Sequence, residues 1–589
     1  MNLPPCCYNQ KMAYCMTQDD GREWLCALRD IPSKSSEDSL ATWLEIVDDI
    51  NERNAIVGRK KKVGAGTRLM RSIAHRVSDQ ATTEVKFNTL LETYVNDILP
   101  LIEAASAELE EEEEEMEEED QRIVVRINNF FCGLHSLVHY ADLADKAALE
   151  AETTFFGTKE DIPALNATFR KAGESGAART VREVCKATSR GGNEQSGVYD
   201  KAVTYFTPIL KEEFDAQSLP FTPYLRNRFS ILFHNCSAIY CLYDHLVEFY
   251  TFHQSNQLLQ SVLFNLKQPQ FIKGIRAIAI LSKKIMAPFF NKIEDRSVDL
   301  SEMAAFYAKL LQFFEDASQD PSILLYGDSP FEDKYLRKDK WWDKVFKPDP
   351  RFDADTLTVL GVILPAMAVY TKRNFADYLP GGKHANIQKE DVKGVPKHNK
   401  LCERVFGMWD YAKRHSPNKS EIVIEAKLCF SFNNTAEWLN SLDDESKRQI
   451  IQQSRKETAA VEAKFKERQD ILRQKAEEAM KRKQDEAHQK EQQRLAEVDA
   501  LREKVNDLGG VWKTEAQVDE ALAKVKRGAR GGKGKLVEAV KTQIAYRRKV
   551  YRQKLTDSKL WNFSENGHIF THEELTTRLK LIISQKALE

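Results

Sequence analysis

The chain has 589 residues, 42% of them hydrophobic and 30% charged, with a formal net charge of −2. This length predicts several domains with buried cores, and the near-zero net charge hides blocks of opposite sign along the chain. The ten cysteines form neither zinc-finger pairs nor a dense disulfide pattern, and the N-terminus shows no secretory signal, which argues against a secreted protein and favours a soluble intracellular one.

The first hundred residues carry both strand and helix patterns. Short apolar runs at residues 11–16 and 24–28 flank an Asp-Asp-Gly sequence at residues 19–21, which predicts a β-hairpin. Apolar residues at helical spacing over residues 40–50 and 87–98 predict two helices. We interpret residues 1–107 as part of an α/β layer.

Residues 108–120 form an acidic block in which eleven of thirteen residues are Asp or Glu. Like charges at this density repel one another and do not pack, so the block is predicted to be a disordered, solvated insert. Binding to basic partners such as histone tails is the alternative.

Residues 121–395 are rich in apolar residues at helical spacing and poor in strand signals, which predicts a helical domain. Within it, residues 127–143 are interpreted as helical. The longest apolar run, residues 357–370, is too short to span a bilayer, so no membrane association is expected.

The C-terminal third changes composition twice. Residues 443–506 are rich in Lys, Glu, Gln and Arg, and they predict a long charged helix with a weak coiled-coil seam. Residues 507–589 predict a small helical module. Residues 524–554 hold twelve basic residues and one acidic residue, as expected for contact with phosphates. The predicted contacts are Lys533, Lys535, Arg547, Arg548 and Lys549. A nuclear-localisation signal or solvated helices are the alternatives.

Residues 396–407 read Pro-Lys-His-Asn-Lys-Leu-Cys-Glu-Arg-Val-Phe-Gly, and residues 432–439 read Phe-Asn-Asn-Thr-Ala-Glu-Trp-Leu. This pair of phrases resembles the C-terminal signature of hAT-type DDE transposases. The resemblance implies an RNase H-like core interrupted by a large helical insertion. It also implies that Glu403 is the last of three catalytic carboxylates that hold Mg²⁺ during DNA cleavage and joining.

Other family features occur in the same order along the chain. Ser78-Asp79 matches the second catalytic Asp, so Asp79 and Glu403 are the candidate catalytic and metal-binding residues. Cys132 and His135 match a C-x-x-H pair, which implies a pocket beside the DNA. Arg228, followed by Phe229 where the family has Trp, is implied to contact a phosphate.

The first catalytic Asp has no counterpart, because the chain contains no Asp or Glu before Asp19. Asp19 and Asp20 lie in the predicted hairpin turn, at the far end from the expected site. We therefore expect that the strand carrying the first Asp is missing, either through decay of the gene or because the annotated start is too late.

These observations predict a mainly α protein with a partial α/β RNase H-like core, a large helical insertion, residues 396–442 completing the core, and a long charged C-terminal helix. The predicted function is a nuclear, transposase-derived protein without catalytic activity that binds DNA or chromatin and other proteins. Mg²⁺ is expected only in an active enzyme, no small-molecule substrate is evident, and self-association is left open. The alternatives are an active transposase with a misannotated N-terminus and a helical scaffold without a nucleic-acid role.

Overall fold

The computed structural model describes residues 10–56, 64–79, 81–100, 127–224, 230–527, 532–555, 557–565 and 568–585. Helices account for 70% of the structure and strands for 5%, so the expected mainly α class is confirmed. The chain divides into two compact units, Met1–Phe465 and Lys466–Glu589, which are described separately below.

The first unit contains two small sheets. One is the antiparallel hairpin of β1 (Gln10–Thr17) and β2 (Glu23–Ile31), as the sequence predicts. The other pairs β3 (His75–Ser78) with β4 (Asn128–Phe131) in parallel. The strand β4 corrects the prediction of a helix over residues 127–143. The four residues of β4, Asn-Asn-Phe-Phe, are too few to show an apolar periodicity that distinguishes a strand from a helix. Their conformation is decided by pairing with β3.

The remaining elements of the first unit up to residue 441 are mostly helices. In chain order they are α1 (Ser36–Ile56), α2 (Ala65–Arg71), α3 (Thr82–Thr93), α4 (Gly133–Phe156), α5 (Gly176–Thr188), α6 (Tyr199–Phe214), α7 (Ile231–Cys241), α8 (Tyr243–Phe252), α9 (Gln257–Leu266), α10 (Pro269–Leu281), α11 (Ala287–Glu294), α12 (Leu300–Gln319), α13 (Ile323–Tyr326), α14 (Lys340–Phe346), α15 (Asp353–Asn374), α16 (Lys400–His415), α17 (Glu421–Phe432) and α18 (Thr435–Ser441).

The hairpin separates two small cores. Trp43, Ile46 and Val47 of α1 pack on one face of it, together with apolar residues of α2 and α3. Val405 of α16 and Ile424 of α17 pack on the other face, against Leu25 and Leu28 of β2. Side chains alternate between the two faces of a strand, so one short hairpin contributes to both cores.

The outer edge of β2 is closed by side chains of the helical segment that follows α16. The Asn433 side chain accepts from the Leu25 backbone N–H at 2.8 Å and donates to the Leu25 carbonyl at 3.0 Å. The Glu425 carboxylate accepts from the Leu28 N–H at 3.1 Å. Polar side chains therefore satisfy backbone groups that an open sheet edge would expose.

A single large core runs through residues 130–392 and unites α4 to α15. The sequence predicts a helical domain over residues 121–395, a range that includes this core. Among the described helices, only α15 is long and apolar enough to cross a membrane by length and composition, and half of its apolar window is buried inside this domain. Such burial is also what a core helix of a globular domain shows.

The second unit begins within α19 (Asp444–Asp507), a single helix that spans the predicted charged segment. It continues with α20 (Glu515–Arg527), α21 (Gly532–Lys549), the two-residue strands β5 (Ser564–Glu565) and β6 (His568–Ile569), and α22 (His572–Ser584). Trp512, Val540, Ile544 and Trp561 belong to its core. The predicted tail module thus has a hydrophobic core of its own.

We expect Gly176→Ala to destabilise the helical domain by about 1–3 kcal/mol, because overpacking a filled core forces its side chains from their rotamers. An added Cβ at Gly176 would lie 2.0 Å from a ring carbon of Phe271, whose side chain is fully buried. Urea unfolding of the two proteins measures the difference.

The matched control is Gly407→Ala in α16, where an added Cβ meets nothing within 4 Å. Alanine favours a helix by about 1 kcal/mol over glycine, so this variant should be neutral or more stable than the wild type. Equal stability of Gly176→Ala and the wild type would contradict the packing at α5.

Candidate functional site

The parallel pairing of β3 and β4 brings two predicted site residues to one end of a sheet. Asp79 follows the last residue of β3, and Cys132 follows the last residue of β4. The Cys132 N–H donates to the Ser78 carbonyl at 2.7 Å. The carboxyl ends of adjacent parallel strands coincide, so both side chains leave the sheet at the same edge, where α4 begins.

The segment before α16 is fixed to this edge by the Cys132–Asn399 contact. The Cys132 thiol donates to Oδ1 of Asn399 at 3.1 Å, and the Asn399 N–H approaches Sγ of Cys132 at 3.4 Å. Beside it, the Gly133 N–H donates to the Lys397 carbonyl at 3.0 Å. The start of α16 is therefore held against the start of α4.

Lys397 attaches the same segment to the helical domain. Its ammonium group donates to the Asp295 carbonyl at 2.6 Å and to the Val298 carbonyl, both in the loop after α11. Burial lowers the pKa of Lys397, and nearby carboxylates oppose the shift. A single buried cation thus binds two backbone carbonyls beyond the end of α11.

Glu403 lies in the first turn of α16, one turn beyond the Cys132–Asn399 contact. Burial lowers the pKa of His135, and the negative charges of Asp79 and Glu403 oppose that shift. Burial also raises the pKa of the Cys132 thiol, which Glu403 raises further. Asp79, Cys132, His135 and Glu403 are therefore neighbours in the folded chain, at the end of β3 and β4.

Both carboxylates of this site are exposed. Oδ1 of Asp79 accepts from the Ala81 N–H at 3.1 Å. Across the described residues, no three His, Cys, Asp or Glu side chains are arranged to hold a metal ion. Two exposed carboxylates suit at most one largely hydrated Mg²⁺, so the residues present do not fit a two-metal centre.

The hairpin turn lies at the opposite end of β3. Asp19 acts electrostatically on His75, the first residue of β3, and Gly394 approaches the backbone of Gln18 and Asp19. Asp20 instead pairs with Arg22 at 2.6 Å. Asp19 therefore lies away from Asp79, and Asp20 is engaged within the turn.

Sequence reasoning missed Lys397 and Asn399, although both belong to the phrase that carries the family resemblance. Asn at the residue before a helix is a familiar N-cap signal, yet here its side chain contacts Cys132 and makes no capping bond. Arg228 lies among residues 225–229, outside the described residues, and its predicted phosphate contact stays a prediction.

The predicted basic contacts in the second unit differ in environment. Lys535 and Arg548 are exposed, and neither forms an ion pair with a described residue. Lys549 is also exposed but pairs with Glu497 at 2.7 Å. The Lys533 side chain lies outside the described residues.

Arg547 does not fit the predicted role of a surface contact. Its side chain is only 5% exposed, and its guanidinium donates to the Trp512 carbonyl inside the module. The sequence places it directly before two basic residues, Arg548 and Lys549, but the helical repeat of α21 directs it to the core, where it binds the backbone just before α20.

The pKa of His135 can be used to test whether Asp79 and Glu403 lie near this side chain. We expect Asp79→Asn and Glu403→Gln each to lower the pKa of His135 further, because each removes a negative charge that stabilises the imidazolium. Titration of ¹³C-labelled histidine by NMR, assigned with a His135→Gln variant, provides the value.

Glu150→Gln is the matched control, since Glu150 is an exposed acid on the same helix α4, fifteen residues away. It should leave the pKa of His135 unchanged. If only one of the two site variants moved that pKa, Asp79 and Glu403 would not share the site.

No family model matches the chain, and no match is found among the curated proteins or the solved structures. The residues at the ends of β3, β4 and the start of α16 therefore carry the functional assignment.

Proposed function

We propose that the chain is a hAT-like, transposase-derived protein that has lost catalytic activity and retains nucleic-acid and protein binding. The observation that supports the proposal is that the β3–β4 pairing and the Cys132–Asn399 contact bring Asp79 and the start of α16 to one end of a sheet, where Asp79 and Glu403 both act electrostatically on His135. These carboxylates are 324 positions apart in the sequence (403 − 79), with a helical domain between them. The resemblance to hAT transposases requires that Asp79 and Glu403 lie close together in the fold. A chance match of short sequence phrases would not require it.

The order of elements supports the same proposal. A hairpin is followed by α1, by β3 with Asp79 at its end, by α3, and by the parallel strand β4. The helical domain then intervenes before α16 supplies Glu403. This is the order expected of an RNase H-like core that lacks its first strand and carries an insertion.

The proposed loss of activity rests on the number of carboxylates. DDE chemistry uses two metal ions that clamp the attacking and leaving oxygens, and it needs converging carboxylates to hold them. Strand β1 contains no Asp or Glu, and Asp19 of the adjoining turn lies near the first residue of β3, at the end opposite Asp79. Asp79 and Glu403 remain as vestigial ligands in this proposal.

The purified chain is expected not to nick DNA in Mg²⁺ or Mn²⁺, because two carboxylates leave the metal clamp incomplete. Supercoiled plasmid carrying the DNA that flanks the gene is a sensitive substrate, since a single nick changes its migration. Glu403→Gln is run in parallel to separate intrinsic activity from contaminating nuclease.

Nicking by the wild type that disappears in Glu403→Gln would contradict the proposed inactivity and would favour the active transposase. Nicking that persists in Glu403→Gln identifies a contaminant.

Nucleic-acid binding is proposed for the basic surface of the second unit, formed by Lys524, Lys526, Arg527, Lys535, Arg548, Arg552 and Lys554. All of these side chains are exposed, and they lie in the last turn of α20, within α21, or in the segment that follows α21. Clustered cations release counterions from a nucleic acid when they neutralise its phosphates, so binding depends on charge density and not on base sequence.

We expect residues 466–589 to bind DNA duplexes of unrelated sequence with similar affinity. The affinity should fall with salt at a log–log slope of about −0.9 per phosphate neutralised. Replacing Lys526, Lys535 and Arg548 by Ala should weaken binding to all sequences equally, and each replacement should flatten the slope by roughly one. Fluorescence anisotropy over a salt series measures both effects.

Arg502→Ala is the control, because Arg502 lies on α19 outside the basic surface and pairs with Asp499 at 3.1 Å. Its slope should match that of the wild type. Absence of binding to DNA and RNA at low salt would remove the second unit from the proposed function.

Protein binding has separate support in the first unit. An apolar groove of about 380 Å³ lies between α17 and the first turns of α19, with Ile422, Val423 and Val461 among its lining. Exposed apolar grooves of this kind are typical of protein contacts. The groove also favours the second candidate, a helical scaffold, which the nucleic-acid measurements distinguish from the first.

A further inference from the structure

Four cysteines from four separate elements gather where the hairpin meets the two helices of the C-terminal segment. Cys15 lies on β1, Cys26 on β2, Cys402 on α16 and Cys429 on α17; all four are free thiols and partly buried. Cys15 interacts electrostatically with each of the other three. The four do not form a metal site, as no described group of three such side chains is arranged to hold an ion.

Cys15 and Cys402 are the pair that the fold brings together. Cys402 lies in the first turn of α16, which packs on β1, and the two thiols influence each other's pKa. Sγ of Cys402 also lies 3.9 Å from the carbonyl oxygen of Ala13, two residues before Cys15 on β1. This contact joins the first turn of α16 to the stretch of β1 that carries Cys15.

The two faces of the hairpin decide which cysteines can meet. Cys15 and Cys429 pack with Val405 and Ile424 on the face covered by α16 and α17. Cys26 packs on the other face, beside Trp43 and Ile46. It is the extra residue of a β-bulge, because Tyr14 pairs with Ala27 while Cys15 pairs with Leu25. Cys26 is therefore turned away from Cys402.

We propose that Cys15 and Cys402 form an oxidation site, at which a peroxide-class oxidant converts the two thiols to a disulfide joining β1 to α16. In the first step one thiol reacts with hydrogen peroxide to give a sulfenic acid and water. In the second step the other thiol displaces the hydroxyl group, the S–S bond forms, and a second water leaves. Two electrons pass from the sulfurs to the peroxide.

Geometry and access both favour this pair. A disulfide needs sulfurs about 2 Å apart on backbones that already lie close, and Cys402 meets that need because its sulfur contacts the β1 backbone two residues before Cys15. Both side chains are partly exposed, whereas Cys185 and Cys236 are near one another inside the helical domain and fully buried. Glu403 follows Cys402 directly, so the disulfide would fix the first turn of α16 at the candidate site. The inference does not depend on the proposed function.

The test treats the full-length protein with hydrogen peroxide, blocks remaining thiols with iodoacetamide, and digests with trypsin without reductant. Cys15 falls in the peptide of residues 12–22 and Cys402 in the peptide of residues 401–404, each with a single cysteine. The expected product is these two peptides linked, with the loss of two hydrogen atoms. Dithiothreitol should release both, and Cys185 and Cys236 should be recovered alkylated only after unfolding.

Variants separate the pair from its neighbours. Cys429→Ser should keep the linked peptides, and Cys402→Ser should abolish them. Oxidation should raise the melting temperature of the wild type and of Cys429→Ser reversibly, but not that of Cys402→Ser. Preferential linkage of Cys15 to Cys26 or Cys429 would overturn the proposal. So would oxidised protein in which Cys15 and Cys402 are both still alkylated.

Discussion

The arrangement of the first unit depends on one constraint, the Cys132–Asn399 contact. These residues are 267 positions apart, and the whole helical domain lies between them. A chain pays a loop-closure entropy that rises only slowly with loop length, so a large domain can be inserted if its two ends are fixed close together. The paired hydrogen bonds of Cys132 and Asn399, with the Gly133 N–H on the Lys397 carbonyl, provide that fixation.

The same constraint explains how the residues of the site are positioned. Strands β3 and β4 are only four residues long and contribute little burial by themselves. The helical domain stabilises them because Phe130 of β4 belongs to its core. Asp79 and His135 then lie at the end of strands that pack on the much larger helical domain, and Glu403 comes from the chain that follows this domain. Short elements achieve precise placement by packing on long ones.

The β1–β2 hairpin is likewise stabilised by helices from distant parts of the chain. It is too small to be stable alone, and it acquires one core from α1 to α3 and a second from α16 and α17. Asn433 and Glu425 close the β2 edge. Residues separated by about 400 positions thus complete one another's hydrogen bonds, and the N-terminal and C-terminal parts of the unit depend on each other for folding. The thiols of Cys15 and Cys402 lie at this junction.

Local patterns in the sequence determined much of the structure. The Asp-Asp-Gly turn specified the hairpin, the apolar spacing specified α1 and α3, and the charged segment specified α19, because turn chemistry and periodicity act over a few residues. The acidic block lies outside the described residues, so its predicted state stays a prediction. Strand β4 was mistaken for helix, since a four-residue strand acquires its conformation from its partner and not from its own period.

Tertiary structure alone decided which side chains meet. The phrases around Asp79, Cys132, His135 and Glu403 suggested a shared site only through their order, whereas pairing of β3 with β4 and the Cys132–Asn399 contact brought them together. Arg547 and Arg548 are adjacent and chemically alike in the sequence, yet one is buried on Trp512 and the other exposed. A helix turns by about 100° per residue, so burial depends on where the neighbouring helices lie, which composition does not encode.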